Sequence, residues 1–321
     1  MKLSIVLPIY NTEHYLRRCL QSVFDQDLPA EDYELIAVND GSTDGCPQIL
    51  EEFAKKYPNL VYLSHENIGD ALTRNRGIDA AKGKYLTFLD SDDAIENNTF
   101  KTIIEKAEKE NLDILYMKMS QYDEEGNYLR DMPAIGEEGI VKSGFEHARR
   151  TFPATLYRRS IVLDTRFDKR ILLGCDSVFN AIIQTRADRC SYISIPYYKY
   201  TNRQNSISKQ GYTDRCYHGY IKSIELLADY KIANFPNPTQ VQKLYFDAVI
   251  NIFIDITLKL SIVPTLKKER FEELKKVLKG YDLGYLITDK SKEFKYFDKN
   301  FTIFYLYNKA KKIKQLLSSQ K

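Results

Sequence analysis

Short apolar runs alternate with amphipathic stretches through the first hundred residues. Residues 2–9, 33–38, 60–64 and 84–89 read as buried strands, rich in aliphatic, β-branched and aromatic side chains. Between them, residues 13–24, 47–57 and 70–82 repeat apolar positions at helical spacing, with Thr12 placed to cap the first helix. Strands alternating with helices of ten or so residues make βαβ units. Right-handed crossovers then give an α/β fold: a Rossmann-like, mostly parallel sheet with helices on both faces. Tyr10-Asn11, Asn39-Asp40-Gly41-Ser42, Glu66-Asn67-Ile68-Gly69 and Asp90-Ser91-Asp92-Asp93 each follow a strand, so all four should line one rim, where open α/β sheets bind ligands.

The fourth strand, Tyr85-Leu86-Thr87-Phe88-Leu89, stops abruptly in carboxylates. Alternation along an extended chain puts Asp90 and Asp92 on one side and Ser91 and Asp93 on the other. Like charges that close stay ionised only beside something positive, and a hard divalent cation, Mg²⁺ or Mn²⁺, shared with phosphate oxygens, answers that need. Helix capping by Asp92 or Asp93, ahead of a helix starting near Glu96, answers it too. Asp40 has a similar choice between accepting from a base edge and shaping a turn. No G-x-x-x-x-G-K-[ST] occurs and no G-x-G-x-x-G follows the first strand, which excludes a P-loop enzyme and a standard dinucleotide binder.

Further on, the pattern predicts a helix over 97–110, a strand over 112–117, a hairpin arm over 122–130 turning at Glu125-Gly126-Asn127, and a short helix over 143–150. Strands over 191–195 and 197–201 precede a polar loop, residues 202–208. Helices over 213–231, 238–260 and 266–279 follow, punctuated by Pro236, Pro238 and Pro264. The boundary falls within residues 203–211 and separates a domain of residues 1–208 (halves 1–100 and 101–208) from a helical C-terminal extension, 209–321. Ile250, Ile252, Phe253, Ile254, Ile256 and Leu258 make the middle helix apolar around most of its surface, which suits a bundle core or a homodimer contact. Residues 301–317 run aromatic first and basic after, with no acid, as suits either an anionic membrane face or packing on the protein with the lysines solvated.

Composition narrows the class. A net charge of +3, from 47 basic and 44 acidic residues, lacks the basic excess of a nucleic-acid binder. Five cysteines without a C-x-x-C pair and four scattered histidines argue for a reducing compartment and against zinc. No run reaches the roughly 18 apolar residues of a membrane span, and the first run is too short for a signal h-region. The expected location is the cytoplasm; peripheral contact at the inner membrane face is one of the two readings that residues 301–317 leave open.

Val6-Leu7-Pro8-Ile9-Tyr10-Asn11-Thr12-Glu13, Val38-Asn39-Asp40-Gly41-Ser42-Thr43-Asp44, Asn67-Ile68-Gly69, Thr73-Arg74-Asn75-Arg76-Gly77 and Phe88-Leu89-Asp90-Ser91-Asp92-Asp93 succeed one another in an order and spacing that resembles family 2 glycosyltransferases of the GT-A fold. The resemblance implies an inverting hexosyltransferase with a nucleotide-diphosphate sugar donor, UDP-hexose by default. It also implies Mn²⁺ or Mg²⁺, and a glycan or lipid-linked acceptor in bacterial surface polysaccharide synthesis. Carried over by position, Pro8 and Tyr10 pack on the nucleobase, Asp40 accepts its ring N–H and Glu13 braces the ribose side. Arg74 lies near the diphosphate, Asp90 meets the ribose or donor sugar, and Asp92 holds the metal. Leu173-Gly174-Cys175-Asp176 resembles the family's Gly-Glu-Asp run, which makes Asp176 the base for the acceptor hydroxyl. Arg203, in the loop after a Tyr-x-Tyr pair, is a further cation for the diphosphate.

Cys175 stands where the family has Glu and, with Asp93, is assigned to the acceptor side. That departure sustains an alternative, a catalytically silent nucleotide-sugar-binding protein. A nucleotidyltransferase is the third reading. It should carry a Gly-rich basic loop after the first strand, and Pro8-Ile9-Tyr10-Asn11 offers none.

Overall fold

The computed structural model describes residues 1–133, 137–146, 153–162, 164–204, 213–261 and 268–288. Its first half is β1 (Leu3–Ile9), α1 (Glu13–Phe24), β2 (Tyr33–Asp40), α2 (Cys46–Lys56), β3 (Leu60–His65), α3 (Asp70–Ala80) and β4 (Tyr85–Phe88). These strands lie in the order β3-β2-β1-β4, all parallel. Every residue of β1, β2 and β4 is buried, as helices on both faces require. Alternation sends Leu3, Ile5 and Leu7 to one face, with Leu16 and Leu20 of α1, and Val6 to the other, with Ala71 and Ile78 of α3.

Helix α3 lies close on the sheet because Gly77 has no side chain: a Cβ there would collide with both methyls of Val6. Gly77→Ala should therefore cost about 1–3 kcal/mol through overpacking. The check is urea unfolding, where the midpoint should fall with an unchanged slope.

The second half adds β5 (Ala94–Ile95), α4 (Phe100–Lys109), β6 (Ile114–Tyr122), β7 (Tyr128–Asp131), β8 (Thr155–Arg158), α5 (Arg159–Val162), α6 (Cys175–Gln184) and β9 (Cys190–Thr201). The sheet continues β4-β8-β6-β9-β5 with β7 on β6, and is mixed here: β4–β8, β8–β6 and β9–β5 are antiparallel, β6–β9 parallel.

Several expectations change. The acidic stretch leads into β5, paired with Tyr198 and Lys199 of β9, so neither Asp92 nor Asp93 caps a helix; the next helix begins at Phe100. The strands expected over 191–195 and 197–201 are one strand, and the register shifts that flank the Lys118–Pro196 pair absorb a residue with no N–H to donate. The segment expected as a helix over 143–150 is a 3₁₀ turn at Gly144–Glu146 where it is described; 147–150 lie outside the described residues. Thr12 precedes α1 as expected, but its hydroxyl donates to Ser91 Oγ at 2.9 Å instead of capping.

The chain divides into two compact units, residues 1–169 with 175–211 and residues 170–174 with 212–321. Within the second, α7 (Asp214–Asn234), α8 (Gln240–Ser261), α9 (Lys268–Gly280) and α10 (Tyr285–Thr288) bury Tyr217, Ile224, Leu227, Phe246, Ile250, Phe253 and Phe271. Gly174, at φ +87°, brings its loop onto Phe253 and Tyr220 of this unit. Among the described residues no helix is long and apolar enough to cross a membrane. The aromatic-then-basic stretch 301–317 lies outside them.

Candidate active site at the strand ends

The loops after β1 and β2 are sewn together by side chains. Asn11, at φ 50°, accepts from Thr43 N at 2.8 Å, and its own N–H donates to Ser42 Oγ at 3.1 Å. Glu13 accepts from Gly45 N, and its N–H donates to Asp44 at 3.0 Å. Glu13 thus holds the loop that enters α2. Pro8 is buried inside β1, while Tyr10, one residue beyond the strand, is 50% exposed, an aromatic face turned to the rim. Asp40 is 3% exposed and accepts from Ile68 N (2.7 Å), Gly69 N (3.0 Å) and Asn67 Nδ2 (3.2 Å), fixing the loop after β3 to the end of β2.

The acidic turn is held from behind. Asp90 N donates to Tyr198 Oη at 3.1 Å, and Tyr198 Oη donates to Asp93 Oδ2 at 2.7 Å. Thr201 N donates to Asp93 Oδ1 and Thr201 Oγ1 to the Asp92 carbonyl, both at 2.7 Å. Asp93 is 1% exposed, so it anchors the turn to β9 and does not face an acceptor. Burial, then Asp92 and Asp90, pushes its carboxyl well above the usual range.

Two carboxylates remain at the rim. Asp90 accepts from Arg74 at 2.8 Å; Arg74 also bonds Asp70 at 2.9 Å and lies below the surface, 6% exposed. Burial opposes the charge of Arg74, and Asp70 and Asp90 more than offset it, holding it protonated. Arg74 is thus committed to orienting Asp90. Asp92 pairs with Arg203 at 2.5 Å, and Arg203 also lies over the Tyr15 ring, 5.5 Å from its centroid. Burial and Asp90 raise the Asp92 carboxyl, with Arg203 opposing. Among the described residues no three or more His, Cys, Asp or Glu gather as a metal cage. Asp92, with Asp90 beside it, suits a hard cation that takes one or two carboxylates and completes its shell with phosphate and water.

Asp176 stands in the first turn of α6. That helix is fixed by Phe179, which stacks on Phe167 (4.2 Å) and meets Phe88 of β4 edge-on (5.6 Å), while the Tyr157 hydroxyl bonds Asn180. Burial pushes the Asp176 carboxyl up to about 6; Ser177 N–H and Arg74 pull it down, and Asp90 adds to the rise. Asp176 therefore feels Arg74 and Asp90, so the two halves of the first unit meet around these three groups. Its neighbour Cys175 is raised to about 12 by burial, then by Asp176 and Asp70, and stays a thiol at neutral pH.

Three contributors escaped the sequence. Asn75 clamps the Phe167 backbone with two bonds, Nδ2 to O at 2.9 Å and N to Oδ1 at 2.8 Å. Its place between Arg74 and Arg76 was the available signal. Tyr198, which with Arg18 holds the acidic turn, opens the Tyr-x-Tyr pair but carried no role there; Arg18 left no signal, since its reach depends on α1 and the turn meeting in space.

A family model described as Glycosyl transferase family 2 matches residues 4–166. Glycosyltransferase GlyA of Streptococcus pneumoniae serotype 4 is 29% identical over 239 residues, 70% of this chain and 34% of GlyA. The poly(ribitol-phosphate) beta-glucosyltransferase of Bacillus spizizenii is 38% identical over 207 residues, 60% of this chain and 31% of that protein. The chain thus spans about a third of the length of these two relatives. The crystal structure of S. aureus TarS 1–349 in complex with UDP-GlcNAc superposes with a TM-score of 0.72 at 20% identity, over 97% of this chain and 92% of that one, so the fold is shared.

Proposed function

The chain belongs to glycosyltransferase family 2, and on that premise we propose that it transfers a sugar, with inversion, from a UDP-sugar to a hydroxyl of a cell-surface polymer or its lipid-linked precursor. The observation that carries this reading is the convergence of Asp92, the Arg74–Asp90 pair and Asp176, its carboxyl near 6, in one unit, with exposed Tyr10 just past the end of the neighbouring strand β1. The UDP-GlcNAc bound by TarS supports the donor class, and the poly(ribitol-phosphate) named for one relative supports a polyol or glycan acceptor.

In this reading the base of the nucleotide stacks on Tyr10 beside Asp40, and Asp90 receives donor hydroxyls. Asp176 takes the proton from the acceptor hydroxyl as its oxygen attacks the anomeric carbon, and the nucleoside diphosphate leaves from the opposite face. A carboxyl that titrates near 6 is ionised at neutral pH yet still basic enough for that work. A Mn²⁺ or Mg²⁺ at Asp92 would supply positive charge to the diphosphate. Arg203, now on Asp92, is the side chain to follow the phosphates. Cys175 cannot share the base role while it stays a neutral thiol.

Thermal unfolding with nucleotide sugars tests the donor class. UDP-sugar with Mn²⁺, at about 100 times its Kd, should add about 2.7 kcal/mol and raise Tm by several degrees, whereas GDP- and ADP-sugars should not. If none of them moves Tm, the donor site proposed here is wrong.

A further inference from the structure

A cavity of about 320 Å³ opens in the first unit between α1, β5, the end of β9 and the turn joining β6 to β7. It lies behind the acidic turn and includes none of the residues assigned above to donor or base. Arg18 reaches into it from α1. Among the described residues its hydrogen bonds go to neutral oxygens: Thr201 Oγ1 at 3.0 Å, the Asp92 carbonyl at 3.3 Å and the Glu124 carbonyl at 3.4 Å. Its guanidinium also lies over the Tyr15 ring, 5.9 Å from the centroid.

Two of those bonds are long, and a guanidinium prefers an anionic oxygen at closer range. Of the other lining charges, Lys199 pairs with Glu96 at 2.8 Å, and Asp25, on the exposed side, accepts from the neutral Gln21 Nε2 at 2.6 Å. Arg18 is thus the wall cation with no carboxylate in ion-pair contact among the described residues.

The rest of the lining asks for more than a bare anion. Ala94, Ile95 and the Tyr122 ring give an apolar floor; the Asn97 carboxamide offers a donor and an acceptor, and Gln21, whose Nε2 donates to Asp25 and Tyr57, offers its oxygen as an acceptor. This is the mixed lining of a small-molecule site, and the volume sits at the lower end of the range for one. The geometry points to a site for a phosphorylated polyol, with the phosphate on Arg18 and the hydroxylated chain between Tyr122 and the two carboxamides. Such a group occurs as a free polyol phosphate monoester or as the phosphodiester repeat of a polymer.

Calorimetry on the full chain with saturating UDP and Mn²⁺ tests it, using sn-glycerol 3-phosphate, ribitol 5-phosphate and a short poly(ribitol phosphate) as probes and glycerol as control. At least one probe should bind, and glycerol should not. Arg18→Gln should weaken binding about tenfold or more. Asn97→Trp, at an exposed rim position, should do the same by blocking entry while leaving the UDP-induced Tm rise intact. Tighter binding of a monoester assigns the site to a free metabolite, tighter binding of the oligomer assigns it to a polymer, and either sustains the proposal. It is overturned if no probe binds at millimolar concentration, if glycerol binds as well as its phosphate, or if both variants bind as the parent does. UDP binding without polyol phosphate binding overturns this site alone; the converse overturns the donor reading alone.

Discussion

Asp176→Asn should lower kcat by about 10²- to 10⁴-fold, the range for loss of a general base, with UDP affinity nearly unchanged. The remaining carboxamide is nearly the same size and still accepts from Ser177 N–H, but it has no basic lone pair for the acceptor proton. The parent rate should rise with pH through an acid limb near 6, where Asp176 ionises, and the variant's residual rate should lack that limb.

Stability should move the other way. The native carboxyl holds its proton up to about 6, against 3.8 for the ordinary value, so the native state binds a proton more tightly than the unfolded chain. The parent therefore loses stability as pH rises from about 4 to 6, and the full cost, at most about 3 kcal/mol, persists above 6. Asn carries no such cost. Asp176→Asn should match the parent below about pH 4 and exceed it above 6, as scanning calorimetry across that range would read. A variant that loses stability at neutral pH as well as activity would mark Asp176 as a helix-capping residue and return the chain to the silent-binding reading.

Strands β1, β2 and β4 were legible because each is buried on both faces and therefore mostly apolar, and because each gives way to residues with no reason to be in a strand; β3, of which only Leu60 is buried, was legible through its place in the alternation. The rim followed from topology alone: parallel strands that end together bring Tyr10, Asp40 and Asp90 together whatever their chemistry. What the sequence could not convey is depth. Asp90, Asp92 and Asp93 look alike in a string, yet Asp93 is sealed under Tyr198 and Thr201 while Asp92 reaches Arg203, because β9 covers one side of the turn. Arg74 likewise reads as a phosphate ligand in sequence but is bound between Asp70 and Asp90. The second half was harder because its strands pair across long separations, as β8 does with β4 and β6, and a short antiparallel strand leaves little periodicity.

Asp92→Ala should weaken UDP binding in Mn²⁺ by about 30- to 150-fold, the 2–3 kcal/mol of a charge-assisted contact, and should leave any metal-independent binding largely as it was. The variant Arg203→Ala separates the two jobs at this corner. In the structure Arg203 neutralises Asp92 at 2.5 Å, the same service a divalent cation would give, so guanidinium and cation compete for one carboxylate. Removing the guanidinium should therefore tighten Mn²⁺ binding to the nucleotide-free protein, read by manganese paramagnetic titration. It should weaken UDP binding, because the phosphates lose a cation. Opposite signs from one substitution require that Arg203 exchange Asp92 for the diphosphate when the donor arrives. If Arg203→Ala weakened both, the arginine would be supporting the acidic turn and never leaving it. If Asp92→Ala left Mn²⁺-dependent binding intact, the cation would have to be held elsewhere on the rim, and Asp92 would be reduced to a counter-ion for Arg203.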